Sequence, residues 1–375
     1  MPERMLRQSR KYLLLLVGVL ALAFFLYRFR NSITLEGFGW SDVAASIRGG
    51  DRSLLLLAIV VIFGCYAVRA LRWVRFSRSL GPSKFWSVYG ATLMGFSCVF
   101  ILGRAGEPIR PVLISRKESL SMPGMFSIFV LERIFDAAAS VILACIGLLV
   151  FDKSRLSDSQ GSHLILAARS TGIVLFLGLV GVVIFLLYFR FRGGEWLSRR
   201  LHSPDWRTGF RARVAALLEG FSDGLQAVRS WGDLGVLIGY SIIHWVLVIC
   251  VWVLVERGIG GGLESLSLGD TTLVLAFTLV GSAVQLPVAG GGAQAAAYAV
   301  LTRVFNVPAG PAAAMAITIW LVSFASCCFA GIPLLFREGL SMSDLRSITR
   351  EKERESEAAL LTEAEKAADA EEPRR

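Results

Sequence analysis

Three charged residues interrupt one apolar stretch of the sequence, residues 124–151. Glu132 and Asp136 are four positions apart, so a helix would project both carboxylates from one face, and Arg133 stands three positions before Asp136. At the centre of a membrane helix each such charge costs about 2.5–3.5 kcal/mol, and apolar neighbours do not offset three of them. The charged face therefore requires partners inside the protein.

A glycine- and proline-rich break supplies candidate partners. It reads GRAGEPIRP at residues 103–111 and contributes Arg104, Glu107 and Arg110. Two interpretations are open. The six charged residues form only an ion-pair network that fastens the break to the charged helix, or some of the arginines also bind an anionic headgroup, because a guanidinium offers phosphate a bidentate fork. We favour the second.

A second break, PVAGGG at residues 287–292, has a different chemistry. Its glycines expose backbone N–H groups at the start of a short helix that we predict over 293–305, and the helix dipole there favours anions. Close packing of helices is the alternative role of these glycines. The candidate ligand-binding residues at this break are Gln285, Gly291, Gly292 and Gln294.

The sequence carries no catalytic or metal-binding pattern that we can identify. It lacks a Ser-His-Asp set, an H-E-x-x-H motif, a P-loop and a Rossmann fingerprint. The six cysteines fall in apolar stretches without metal-ligand spacing. His244 is more typical of a hydrogen-bonded core histidine than of a proton relay. We therefore expect no cofactor, no metal and no enzymatic activity.

The amino-acid composition indicates that these residues belong to a membrane protein. Of 375 residues, 54% are hydrophobic and 18% charged, and mean hydropathy is +0.60. Apolar stretches of roughly 13–27 residues recur along the chain, which excludes a soluble enzyme, a coiled coil and a disordered regulator. The net charge of +10 indicates insertion topology and not nucleic-acid binding, because no nucleic-acid motif accompanies it.

Basic residues between the apolar stretches predict the topology. Arg69, Arg72 and Arg75 are assigned to a cytoplasmic cluster that follows the second span, 53–68. Both termini are predicted to be cytoplasmic, in a multi-pass protein of a bacterial-type inner (plasma) membrane. The predicted domains are a cytoplasmic N-terminus (1–11), a helical transmembrane domain (12–336) that contains a basic amphipathic cytoplasmic segment (190–233), and a charged tail, helical or disordered (337–375).

The predicted fold is all-α: about six full spans plus two broken re-entrant hairpins. The first hairpin would enter from the cytoplasm and turn at 103–111, and the second would enter from outside and turn at 287–292. That arrangement is the one expected of an inverted repeat, which secondary transporters use to build central sites. Eight full spans are the alternative.

Three blocks of this sequence resemble a known family. They are GRAGEPIRP at 103–111, LERIFD at 131–136, and Leu286-Pro287 with the glycines that follow. On these blocks the chain resembles the flippase-like integral membrane proteins related to the membrane region of lysylphosphatidylglycerol synthases, over about residues 10–338. The resemblance implies a polytopic inner-membrane protein, with some relatives linked to moving phospholipids between leaflets.

Two departures from the family limit what the resemblance implies. The synthases continue into a large cytoplasmic aminoacyltransferase domain, whereas this sequence ends at residue 375, shortly after Phe336, so lipid synthesis is not expected. Many relatives also carry an acidic residue shortly after the second glycine turn, where this sequence has alanines at 295–297. A mechanism that needs that carboxylate is not expected here.

These observations predict a lipid transporter. It would bind the headgroup of an anionic phospholipid or a polyprenyl (isoprenoid) phosphate in an intramembrane cavity between the hairpins, while the basic segment 190–233 contacts anionic inner-leaflet lipids. No nucleic acid is expected as a partner, and the oligomeric state is left open. The alternatives are a non-catalytic accessory subunit of a lipid or envelope biosynthesis enzyme and, third, a membrane-embedded lipid-modifying enzyme.

Overall fold

A computed structural model describes residues 39–150, 231–282, 285–286 and 290–338, together with the single positions 177 and 181. The first predicted span, most of the predicted basic amphipathic segment and nearly all of the predicted tail therefore lie outside the described residues. The helices are α1 (Trp40–Gly49), α2 (Arg52–Ser77), α3 (Phe85–Leu102), α4 (Ile109–Glu118), α5 (Met122–Val150), α6 (Trp231–Ile259), α7 (Leu268–Gly281), α8 (Gly292–Arg303), α9 (Ala309–Trp320) and α10 (Ser326–Arg337).

Short elements connect several of these helices. Gly103–Gly106 and Leu263–Ser265 are 3₁₀ turns, and Leu321–Ala325 is a π-helical segment between α9 and α10. The strands β1 (Gln285–Leu286) and β2 (Gly290–Gly291) have two residues each and pair antiparallel. The described part of the chain is therefore helical apart from one minimal ladder.

Four helical stretches of the described residues are long and apolar enough to cross a membrane: Arg52–Ser77, Phe85–Gly106, Gly232–Ile259 and Ala309–Arg337. The shortest has 22 residues, which at about 1.5 Å per residue matches a hydrocarbon core of about 30 Å. The predicted polytopic α-helical membrane fold is confirmed. The number of full spans stays a prediction, because the described ranges do not cover all of the predicted spans.

The first break turns the chain back on itself, as predicted. Gly103 has φ +66°, and α4 runs antiparallel to α3. A Cβ on Gly95 would lie 2.8 Å from the Arg110 Cβ, and one on Gly106 would lie 2.4 Å from the backbone carbonyl of Cys98. The two arms of this first hairpin (residues 85–118) therefore touch backbone to backbone, which a larger residue at either glycine would prevent.

The second break is also a hairpin. Gln285 pairs with Gly291 and Leu286 with Gly290, and α8 returns along α7. A Cβ on Gly281 would lie 2.3 Å from the carbonyl oxygen of Gly292, so these arms also meet at their backbones. Residues 268–303 form what we call the second hairpin. Its predicted re-entry from outside the membrane stays a prediction.

Contacts within the chain divide the protein into two compact units. One contains the described parts of 1–58, 143–169 and 251–320, including the second hairpin. The other contains the described parts of 59–142, 170–250 and 321–375, including the first hairpin. The core of the latter is formed by fully buried side chains from α2, α3 and α5, namely Trp73, Phe76, Met94, Met125 and Ile128.

A π-helical segment marks the join between α9 and α10. The wider turn at Leu321–Ala325 frees backbone carbonyls from the regular helical pattern. The Tyr66 hydroxyl donates a hydrogen bond to one of them, the carbonyl oxygen of Ser323. Farther along, Gly331 lies against the Leu93 backbone, so that α10 packs closely on α3.

Candidate functional site

The centre of the candidate site is Glu132 on α5, whose side chain is fully buried. Its Oε1 lies 3.1 Å from Arg72 Nη2 and 3.7 Å from Arg69 Nε. Its Oε2 lies 3.2 Å from Arg133 Nη2 and accepts a hydrogen bond from Arg110. Four guanidinium groups thus surround one carboxylate, which explains how a charged residue is accommodated at this depth in the helix.

Asp136 lies one helical turn further along α5 and shares three of these cations. Its Oδ2 is 2.9 Å from Arg69 Nη2 and 3.2 Å from Arg133 Nη2, and its Oδ1 is 2.7 Å from Arg72 Nη2. The predicted arrangement, two carboxylates on one face with cations between them, is therefore present. Together with Glu107, which lies near Arg133, these residues form the arginine–carboxylate cluster. Its members are Arg69, Arg72, Glu107, Arg110, Glu132, Arg133 and Asp136.

Helix α2 supplies two cations that the sequence-based interpretation missed. Arg69 and Arg72 were assigned to a cytoplasmic cluster after a span that ends at residue 68, but α2 continues to Ser77. Arg72 is 1% exposed and pairs with both carboxylates. Residues spaced three apart share a helix face, so the spacing of the two arginines was the signal available in the sequence.

The first hairpin supplies Arg110 and Glu107. Arg110 is buried and places its guanidinium 4.3 Å from the centre of the Trp73 ring, which favours a cation electrostatically. Glu107 Oε2 lies 3.8 Å from Arg133 Nη1, beyond hydrogen-bonding distance. Arg104 lies in the 3₁₀ turn and is exposed. The structure thus joins the break to the charged helix through Arg110 and Glu107.

Aromatic rings cover further faces of the cluster. Phe96 lies 5.3 Å from the Arg69 guanidinium carbon and 5.9 Å from that of Arg110, and Phe129 lies 5.4 Å from that of Arg133. Such contacts contribute about 0.5–2 kcal/mol each, depending on how far the cation is removed from water. They hold the guanidinium planes in fixed orientations, as a preorganised anion site requires.

Helix α6 completes the site with two neutral groups. Arg72 Nη1 donates to Ser241 Oγ at 3.1 Å, and Arg69 Nη2 lies 3.3 Å from His244 Nε2. Arginine can only donate, so Nε2 of this buried histidine is the acceptor and its ring proton sits on Nδ1. Nδ1 has no hydrogen-bond partner among the described residues. His244 is therefore buried and in contact with Arg69, which agrees with the core histidine favoured by the sequence.

The cluster carries more positive than negative charge. Among the described residues of the cluster, four arginines face three carboxylates, which leaves a surplus of one positive charge. Arg69 Nε, Arg72 Nε, Arg110 Nη1 and Arg133 Nε have no hydrogen-bond partner within the described ranges. Only Arg133 of the four is well exposed, at 39% of its side chain. This chemistry suits an anion, and the described residues contain no group of metal ligands.

The predicted ligand residues of the second break lie in the other compact unit. Gln294 Oε1 accepts a hydrogen bond from the Gly291 N–H at 2.8 Å. That donor, which we expected to be available to an anion, is therefore satisfied by the protein's own side chain. Gly292 begins α8, and the backbone of Gln285 pairs with Gly291. A ligand role for these four residues stays a prediction.

Comparison with known proteins identifies the family of this chain. Residues 13–331 match the family described as the lysylphosphatidylglycerol synthase transmembrane region. The chain belongs to this family. The match covers both breaks and the whole arginine–carboxylate cluster. It establishes a multi-pass membrane protein of a lipid-related family, and the match is to the transmembrane region alone.

One curated relative adds context. The chain is 24% identical over 307 residues to glycosyltransferase AglD of Haloferax volcanii, with 74% of this chain covered. The matched part is 47% of that relative, so the chain spans about half of its length. No solved structure matches this chain. The family assignment therefore rests on the transmembrane region.

Proposed function

We propose that this protein binds the anionic headgroup of a phospholipid or isoprenoid phosphate at the arginine–carboxylate cluster and moves the lipid across the membrane. The observation that supports this most is the charge surplus of the buried cluster. At an effective dielectric constant of about 20, two like unit charges 4 Å apart repel by about 4 kcal/mol. A phosphodiester carries one negative charge and would balance the surplus of one.

Arg133 is the proposed entry point for the headgroup. It is the most exposed of the four arginines, and its Nη1 faces Glu107 across 3.8 Å, the longest contact in the cluster. A phosphate oxygen at hydrogen-bonding distance would interact more strongly than this carboxylate does. The headgroup would therefore bind Arg133 beside Glu107, which stays in the cluster, while Arg69, Arg72 and Arg110 remain on their buried carboxylates and set the positive potential.

A vesicle assay tests this proposal. The full-length protein in liposomes is expected to move fluorescent phosphatidylglycerol, a lysylated analogue or a labelled isoprenoid phosphate between leaflets faster than empty liposomes do. Arg133→Gln should weaken headgroup binding by about 10- to 150-fold, the value of one charge-assisted hydrogen bond. Arg75→Gln is the matched control, because Arg75 pairs with Asp233 outside the cluster.

Two results would contradict the proposal. One is the absence of transport for all three lipids in vesicles where the protein is folded. The other is equal loss of binding in the two variants, because a merely structural or non-specific electrostatic role would not separate Arg133 from Arg75. Native mass spectrometry of the purified protein would identify the lipid directly. The proposed location is an inner membrane with both termini in the cytoplasm.

A second candidate is an accessory subunit of a lipid or envelope biosynthesis enzyme. The observation that favours it is the curated relative, in which the matched region is part of a longer protein named as a glycosyltransferase. In that case the cluster would hold a lipid substrate for a partner enzyme without moving it. Co-purification of a stoichiometric partner, together with lipid binding but no transport, would separate this function from the first.

A further inference from the structure

Another buried carboxyl group, that of Glu256, forms no ion pair with any described residue. Glu256 lies near the C-terminal end of α6 and is 2% exposed. Among the described residues it takes part in no ion pair, and its Oε1 has no hydrogen-bond partner. Glu132 is equally buried but is surrounded by four guanidinium groups. The two glutamates therefore occupy opposite electrostatic environments.

The Thr271 hydroxyl lies between two oxygen acceptors, one of which belongs to Glu256. The Thr271 hydroxyl lies 2.7 Å from Glu256 Oε2 and 3.1 Å from the carbonyl oxygen of Ser267. A hydroxyl carries one proton and cannot donate to both. Hydroxyls in helices commonly donate to the carbonyl four residues earlier. When Thr271 donates to the Ser267 carbonyl, a protonated Glu256 can donate to the Thr271 oxygen; when Glu256 is ionised, Thr271 donates to its carboxylate instead.

Neighbouring charges also favour the neutral acid. Asp270, in the first turn of α7, accepts hydrogen bonds from the Ser267 N–H and hydroxyl at 2.9 and 2.8 Å. An ionised Glu256 would stand beside this like charge in a buried position. Arg257, the next residue on α6, is exposed. The ionisable groups of the adjoining segments are exposed as well: Asp51, Arg52 and Glu264.

We propose that Glu256 is a proton-binding site that controls how the second hairpin is attached to α6. With the proton bound, Glu256 donates to Thr271 and fastens the first turn of α7. Without it, a buried carboxylate faces Asp270, and the Thr271 hydroxyl has to turn away from the Ser267 carbonyl to donate to that carboxylate, so the first turn of α7 loses one of its bonds and loosens. This inference concerns a different group from the arginine–carboxylate cluster and does not depend on lipid transport.

Hydrogen exchange of the full-length protein in lipid nanodiscs tests the proposal. Amides at the start of α7 are compared in wild type and Glu256→Gln at matched pH, which cancels the intrinsic pH dependence of exchange. The glutamine amide donates to Thr271 at every pH. The variants should exchange equally at about pH 5, and wild type should become faster by up to about tenfold for each pH unit above the titration of Glu256.

A control variant and a second measurement are added, so that the conclusion does not depend on Glu256→Gln alone. Glu264→Gln, an exposed glutamate in the neighbouring turn, should leave the pH dependence unchanged. In wild type, infrared difference spectra should show a protonated carboxyl C=O band that disappears on raising the pH and that shifts in Thr271→Val. An exchange rate that is the same in wild type and Glu256→Gln at all pH values would overturn the proposal, as would an absent carboxyl band.

The same samples test whether Glu256 binds a proton or a sodium ion. Glu256, Thr271 and the Ser267 carbonyl present oxygen atoms, the ligand type that sodium would also use. Replacing sodium chloride with the chloride of a bulky organic cation at constant pH should leave the exchange of α7 unchanged if the ligand is a proton. Protection that depends on sodium and not on pH would assign the site to sodium and overturn the proposal.

Discussion

Substitution of Glu132 by glutamine removes the charge that four arginines share. Glutamine has nearly the same shape, so the variant isolates electrostatics from packing. Glu132 is fully buried and receives contacts from Arg69, Arg72, Arg110 and Arg133. Removal of one member of a buried ion pair costs about 3–5 kcal/mol, because the remaining charge is left uncompensated. We expect a loss of this size in unfolding free energy, a factor of about 10² to 10⁴ in the equilibrium.

The assay is reversible unfolding in mixed detergent micelles, with Asp233→Asn as the control. Asp233 pairs with Arg75 at a position where both side chains are more than a fifth exposed, so its substitution should cost about 0–1 kcal/mol. Arg110→Met in the Glu132→Gln background should recover part of the loss, because it removes one of the unmatched cations.

A Glu132→Gln variant that is no more destabilised than Asp233→Asn would refute this prediction. In that case the four contacts would contribute no more than a partly exposed pair, and the cluster would not be a preorganised positive site. A lack of recovery in the double variant would separately refute the claim that excess cation charge causes the loss. Lipid has to be removed or held constant, because a bound headgroup would itself stabilise the folded state.

Three further substitutions test the contacts between helices, two at glycines and one at a hydrogen bond. All three are measured as changes in thermal unfolding in detergent. Gly106→Ala would place a Cβ 2.4 Å from the Cys98 carbonyl and should destabilise the protein by about 1–3 kcal/mol or more. Gly64→Ala lies in α2, where the new Cβ would have no described atom from outside its own stretch of helix within 4 Å, and should be neutral or stabilise by up to about 1 kcal/mol. Tyr66→Phe removes the hydrogen bond to the Ser323 carbonyl and should cost about 0.5–1.5 kcal/mol. Equal effects of the two glycine substitutions, or no effect of the tyrosine substitution, would contradict these assignments.

The sequence predicted the parts of the site that depend on local spacing. The four-residue separation of Glu132 and Asp136 is enough to place both on one helix face. The charge cost in an apolar helix is enough to require partners, and the nearby break offered Glu107 and Arg110. The glycine and proline content of both breaks predicted chain reversals, and both hairpins are present.

The remaining partners could not be predicted because they depend on which helices pack together. Arg69 and Arg72 are good helix formers, so nothing local ends α2 at residue 68. Counting basic residues assigned them to the cytoplasm, although the helix continues and turns them toward Glu132. Ser241 and His244 are more than a hundred positions away from these partners in sequence. Their contacts follow from the packing of α6, which no periodicity within α6 indicates.

The two buried glutamates lead to separate dependences on pH. Glu132 keeps its charge because four guanidinium groups, which stay protonated throughout the accessible range, surround it. Glu256 has no such partner among the described residues, and in our proposal it is neutral while it donates to Thr271. Headgroup binding at Arg133 should therefore change little between about pH 6 and about pH 8, whereas protection of α7 should fall over its own range. Binding of phosphatidylglycerol and exchange of α7 can be measured on the same nanodisc samples. A common pH midpoint that persists in Glu256→Gln would show that one group in the cluster governs both, and would refute the division of roles.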